Sequence, residues 1–252
     1  MVLRPEAAGL ARLFGSRAID RLARATVAVV GLGGVGSWTA EILARSGVGG
    51  LVLIDGDEVC RSNIHRQIHA LPATVGRPKA EVMADRVLSI ASGIRAEVRT
   101  VFVRPANQET VIPSDAGVVV DATDRVTSKC ALLAWLRAEG RAVITCGGAG
   151  GRLDATAVRT GDLAATSGDR LLAKVRKQLR QRHGFPRKPE TPFGIPCVHS
   201  VELALEAPDA ESPPAGPACD TGYGSAGWVT AAFGLAAAGW AVRRLVEGGI
   251  RD

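Results

Sequence analysis

Apolar residues along this chain alternate between two rhythms. Short β-branched runs are separated by longer stretches with apolar positions at helical spacing. Residues 4–24 carry Leu10, Leu13, Ile19 and Leu22 among arginines, which predicts an amphipathic helical lead-in within residues 1–25. Thr26 to Val30 reads as a buried strand that ends on glycines. Ser37 to Ser46 is helical and stops at Gly47-Val-Gly-Gly50, and Leu51 to Ile54 is a second buried strand that closes on Asp55. Together these make a βαβ unit of about 30 residues with a glycine-rich first turn. Cys60 to Val75 is polar and predicts a loop or a single helical turn. Lys79 to Ile90 is a helix, Glu97 to Val103 a third strand and Ala116 to Asp121 a fourth. Ser128 to Glu139 is the next helix, and Ala142 to Cys146 a fifth strand that runs into Gly147-Gly-Ala-Gly-Gly151.

Strand–helix alternation of this kind predicts an α/β fold: a Rossmann-like, doubly wound, mostly parallel sheet with helices on both faces, plus a C-terminal extension. The later part breaks the rhythm. Asp169 to Lys188 reads as a basic helix and loop, Glu206 to Pro217 as a mobile loop and Tyr223 to Glu247 as the closing helix. We expect one domain over residues 1–252, with 152–222 as a helix-and-loop region within it.

Composition narrows the classes. The chain has 252 residues, 46% hydrophobic and 22% charged, which are ordinary globular proportions. Aromatics make up only 4%, so small aliphatic residues must carry the packing. The net charge of +6 permits a nucleic-acid partner without requiring one. The five cysteines, Cys60, Cys130, Cys146, Cys197 and Cys219, form no CxxC pair, so no zinc is expected. Without a signal peptide the expected location is cytoplasmic. Tyr223 to Val242 is uncharged over 20 residues, just long enough to span a bilayer. Its four glycines and many alanines favour a buried helix, with peripheral or C-terminal membrane association left open.

The candidate chemistry begins at Gly31-Leu-Gly-Gly-Val-Gly36. Gly31, Gly33, Gly34 and Gly36 permit a tight turn and a close approach of phosphate to a helix N-terminus. This turn alone does not separate a nicotinamide or flavin enzyme from one that reacts ATP. Asp55 lies 19 residues after Gly36, where an acidic side chain meets ribose hydroxyls in both classes. The following residues separate the two. Asp57, Asn63, Arg66, Gln67 and Lys79 supply cations and amides suited to a triphosphate, whose charge must be held and redistributed during reaction. Asp124 follows the fourth strand, faces the ligand crevice and has a natural role as a magnesium ligand. Asp121 is expected only to cap a helix or close a turn.

These stretches resemble the ubiquitin-activating-enzyme-like (ThiF/MoeB/HesA) superfamily. They are Gly31 to Gly36, Asp55-Gly-Asp-Glu-Val59, Ser62-Asn63, Arg66-Gln67 and Val75-Gly-Arg-Pro-Lys79. Arg66-Gln-Ile-His69, Lys79-Ala-Glu-Val-Met83, Gly147 to Gly151, Gly222-Tyr-Gly224 and Val229 to Gly234 resemble its branch of dehydratases that act on threonylcarbamoyladenosine in tRNA. The resemblance implies adenylation of a carboxylate with ATP and magnesium. It implies that Asp55 holds the ribose, that Asn63, Arg66, Gln67 and Lys79 hold the phosphates, and that Asp124 holds the metal. It implies a homodimer in which Arg12 reaches the ATP of the other subunit. The tRNA carrying threonylcarbamoyladenosine is the implied partner, with a cysteine-desulfurase-related accessory protein beside it. An activator of a ubiquitin-like sulfur carrier is the alternative.

Two further readings bear on the substrate. Arg170 to Lys188 holds eight Lys or Arg and no acid, so Lys174, Arg176, Lys177 and Arg180 are the candidate contacts to tRNA. A solvated helix face is the plainer alternative. Cys197 and Cys219 are expected to be structural rather than nucleophilic, with backbone carbonyls nearby that suit a monovalent cation.

Overall fold

The computed structural model describes residues 8–91, 93–188, 190–205 and 224–247. The lead-in forms two helices, α1 (Ala8–Phe14) and α2 (Ser16–Arg24), separated at Gly15. Strand β1 (Thr26–Val30) then enters the glycine turn and α3 (Gly36–Arg45), followed by β2 (Gly50–Ile54). Single 3₁₀ turns at Arg61–Asn63 and Pro72–Thr74 precede α4 (Lys79–Ile90) and β3 (Arg95–Arg99). Next come α5 (Gln108–Val111), β4 (Val118–Asp121), α6 (Val126–Ala138) and β5 (Val143–Cys146). The chain continues through β6 (Val158–Asp162), α7 (Arg170–Arg182), β7 (Pro196–Ser200) and α8 (Gly227–Glu247).

Seven strands form one sheet in the order β3-β2-β1-β4-β5-β7-β6. Every pair is parallel except β6 with β7. Alternate side chains of each central strand feed two cores. Val27, Val29, Leu51, Leu53, Val118 and Val120 join α2, α3, α4 and α8 on one face. Ala28, Val30, Val52, Ile54 and Val119 join α6 and α7 on the other. The strand order reverses between β1 and β4, and this is where a crevice opens at the carboxyl ends of the strands.

Two sequence expectations change. The third strand is Arg95–Arg99, not Glu97 to Val103. As an edge strand it buries little, so its register is set by β2, which pairs Gly50 with Arg95 and Ile54 with Arg99. The apolar residues Val101-Phe-Val103 leave the sheet and line the crevice instead. The region after residue 152 is not only helix and loop, because β6 and β7 widen the sheet there. Strand β6 is a polar edge with no buried position, and β7 begins on a proline, so neither shows an alternating pattern. The predicted loop at Glu206 to Pro217 and the Cys219 motif lie outside the described residues. Helix α8 is long and apolar enough to cross a membrane by composition, but it packs against α2, α3 and the sheet.

Candidate active site

A cavity of about 880 Å³ occupies the crevice. Its lining joins the glycine turn, the 55–79 segment, the loop after β4 and the glycine run after β5. Seven Lys or Arg line it (Arg66, Lys79, Arg104, Arg125, Arg152, Arg170, Lys174) against four acids (Asp55, Asp57, Asp124, Asp169). The site therefore favours an anion.

The glycines divide the work. Gly31 sits at φ 85°, in the left-handed region that favours glycine. A Cβ on Gly36 would fall 1.8 Å from the Gly31 carbonyl oxygen, so Gly36 serves close packing and does not line the cavity. A Cβ on Gly33 would meet nothing within 4 Å and would project into the space a ligand needs. Gly34 packs against Thr230 of α8.

Asp55 ties the turn to the next segment. Its Oδ2 accepts the Leu32 N–H at 2.6 Å and its Oδ1 the Asp57 N–H at 2.8 Å. Each oxygen still has capacity for a second donor. Burial raises the Asp55 pKa, and nearby Lys79 acts in the opposite direction. Lys79 opens α4, and its buried Nζ pairs with Asp57 Oδ2 at 3.1 Å. Asn63 is buried, with Oδ1 accepting the Cys60 N–H at 3.0 Å. Arg66 Nη1 donates to the Ser62 carbonyl at 2.8 Å. Gln67 lines the cavity, and its buried Oε1 has no protein partner among the described residues. A buried amide oxygen left in that state suits a site that takes a polar ligand.

Asp124 lies exposed on the cavity wall, two residues beyond the glycine-packed Ala122. Asp121 closes a turn, accepting from Thr123 N and Oγ1, and also forms an ion pair that the sequence did not reveal. Its Oδ2 meets Lys129 Nζ at 2.9 Å, with both side chains fully buried. Lys129 also donates to the Thr123 carbonyl at 2.8 Å and so fixes the loop that presents Asp124. Opposite, buried Arg152 donates to the carbonyls of Gly148, Gly168 and Glu202, and Asp169 caps α7 while accepting the Gly148 N–H. Phe102, under Gly56 and with Arg125 4.6 Å above its ring, supplies an apolar wall.

The structure places Arg12 in the last turn of α1, exposed and away from the residues lining this chain's own cavity. The four basic candidates on α7 do not act alike. Lys174 and Lys177 are exposed, but Arg176 donates to Thr166 Oγ1 at 2.5 Å and Arg180 to the Pro186 carbonyl at 3.1 Å. Two of the four guanidinium and ammonium groups are therefore spent on internal bonds. Cys130, Cys146 and Cys197 are fully buried or nearly so, and burial pushes the first two thiols up to about 11 and about 12 and Cys197 well above its usual value. None of the three is a nucleophile at neutral pH.

Fold and site define an α/β nucleotide-binding protein with a cation-rich crevice at the sheet's switch point. The chain belongs to the ThiF family, whose sequence model matches residues 7–250. It is 41% identical to a tRNA threonylcarbamoyladenosine dehydratase of Escherichia coli, covering 97% of this chain and 94% of that one. It is 39% identical to the Haemophilus influenzae protein of the same name, covering 95% of this chain and 91% of that one. Structures of the E. coli enzyme in complex with ATP and with AMP superpose with TM-scores of 0.90, at 39% identity and full coverage of both chains.

Proposed function

We propose that this chain is an ATP-dependent dehydratase that activates the threonine carboxylate of threonylcarbamoyladenosine in tRNA. The full-length likeness to an enzyme solved with both ATP and AMP carries this reading, because these are the nucleotide consumed and the nucleotide released by adenylation. A carboxylate oxygen attacks the α-phosphorus and pyrophosphate leaves. The ureido group of the same nucleoside then attacks the acyl carbon, the acyl–oxygen bond to AMP breaks, and a ring forms with net loss of water. The second step is intramolecular and needs no enzyme nucleophile.

In this scheme Asp55 would take the ribose hydroxyls on its remaining lone pairs. Asn63, Arg66, Gln67 and Lys79 would hold the phosphates, with Lys79 exchanging Asp57 for phosphate oxygens. Phe102 would flank the base. Asp124 would hold magnesium, which supplies neutralising charge to the phosphates when bound. A single carboxylate suits that ion, which keeps waters and binds largely through substrate phosphates. Arg12 would enter the site of a partner subunit in a homodimer, and Lys174 and Lys177 would meet the tRNA backbone. Cytoplasmic tRNA is the expected substrate pool.

The test is nucleotide release. ATP and magnesium are supplied with tRNA bearing threonylcarbamoyladenosine or with a ubiquitin-like carrier ending in Gly-Gly. We expect AMP, pyrophosphate and cyclic nucleoside only with the tRNA. AMP formation driven by the carrier alone would reassign the chain to sulfur-carrier activation.

A further inference from the structure

We infer that Trp38 is a positioning residue for Arg66, and that it acts through the Arg66 backbone rather than through its guanidinium. This rests on the reading of Arg66 as a phosphate ligand. Arg66 sits on an irregular segment between the 3₁₀ turns at Arg61–Asn63 and Pro72–Thr74. Its amide N–H and that of Gln67 both return to the Asn63 carbonyl at 3.0 Å, and no strand or long helix carries it. Its carbonyl is held from outside. The Trp38 indole Nε1 donates to it at 3.1 Å from the first turns of α3. Thr230 Oγ1 lies 3.3 Å from the same oxygen while donating to the Gly227 carbonyl at 2.9 Å, so the indole is the stronger tether.

Helix packing sets that tether. A Cβ on Gly234 would fall 2.7 Å from Trp38 Cβ and 2.6 Å from the Val35 carbonyl oxygen. A Cβ on Gly227 would fall 2.4 Å from the His65 carbonyl oxygen. Two glycines about two turns apart on one face of α8 thus let the helix lie against α3 and against the Arg66 segment together. Trp38 spans the two. Helices α3 and α8 and the cationic segment meet at one carbonyl oxygen, and the position of the Arg66 Cα follows from it. A guanidinium at the end of a long side chain amplifies any shift at its root, and small misplacements of a positioned charge cost affinity steeply.

Trp38→Phe keeps the aromatic ring and deletes the N–H. Calorimetric titration of ATP with magnesium is run on wild type, Trp38→Phe, Arg66→Gln and the double variant. One hydrogen bond is involved, so Trp38→Phe is expected to weaken ATP about fivefold. In the Arg66→Gln background it is expected to add nothing, because the group it positions is gone. A merely structural tryptophan would weaken ATP by the same factor in both backgrounds, and that result overturns the inference, as does unchanged ATP affinity in the single variant. Thr230→Val, measured in the same two backgrounds, serves if Trp38→Phe fails to fold, with a smaller loss and the same non-additivity expected. Failure of the wild type to bind ATP at all would instead remove the proposed function.

Discussion

At the scale of single residues, the glycine turn separates two demands that look alike in sequence. Gly36 answers a demand of folding and Gly33 a demand of ligand approach. Gly36→Ala forces a Cβ onto the Gly31 carbonyl and should cost about 3 kcal/mol of stability, read as a lower urea midpoint. Gly33→Ala meets no protein atom, so its melting temperature should match wild type while ATP affinity falls at least about tenfold. His69 makes a second residue-scale prediction. It is buried, neither ring nitrogen has a protein partner among the described residues, and burial, with Lys79 and Arg86 nearby, lowers its pKa to about 4. Below pH 6.5 the unfolded chain takes up a proton that the folded chain refuses until about pH 4. Stability should therefore fall as pH drops through that window, by on the order of 3 kcal/mol in total. His69→Gln should flatten this slope in urea melts repeated across pH.

At the scale of elements, α7 shows why a basic run is not a uniform surface. Leu172, Val175 and Leu179 dock the helix on the sheet, and Asp169 caps it. That rotation points Lys174 and Lys177 outward and turns Arg176 and Arg180 toward Thr166, Pro186 and the Phe193 ring. Filter binding of tRNA across a potassium chloride series should separate the pairs. Lys174→Ala and Lys177→Ala should each weaken binding and reduce the salt slope by about one unit. Arg176→Ala should lower the melting temperature and change that slope little. Of the elements themselves, β1, β2, β4, β5, α3, α4 and α6 were legible to within a few residues, because strands buried on both faces and helices with one apolar stripe carry their environment in their own pattern. Strands β3 and β6 were not, because an edge strand with solvated side chains is defined by its hydrogen-bonding neighbour, and the interior strand β7 was missed because it is short and begins on a proline.

At the scale of the whole molecule, Arg12 is the residue that one chain does not use in its own cavity. If it completes the site of a partner, two inactive variants should repair each other. Arg12→Ala and Arg66→Ala proteins, each expected to be nearly inactive, are denatured together and refolded. Random pairing should restore about a quarter of wild-type AMP formation, since half the dimers then hold one intact site of two. No recovery on mixing would place Arg12 in a role within its own chain or in none. The same scale explains the C-terminal helix. An uncharged stretch of membrane length packs in the sheet's helical layer, where Gly234 and its small neighbours admit α3 closely.

The sequence by itself determined the parallel βαβ frame, the glycine turn and the identity of the residues after it: Asp55, Asn63, Arg66, Gln67, Lys79 and Asp124. Asp55 and Asp124 could be read because each follows a strand end, and strand ends announce themselves through local hydrophobic pattern; the other four were read from the clustering of cations and amides after Asp55. Tertiary structure alone decided which groups surround them. Phe102 left an expected strand to become a wall, Lys129 paired with Asp121 beneath the loop that carries Asp124, Arg152 gathered three loops, and Trp38 reached the Arg66 carbonyl. Each of these contacts joins segments whose separation in the folded chain depends on how helices pack across the sheet, and no local spacing encodes that distance.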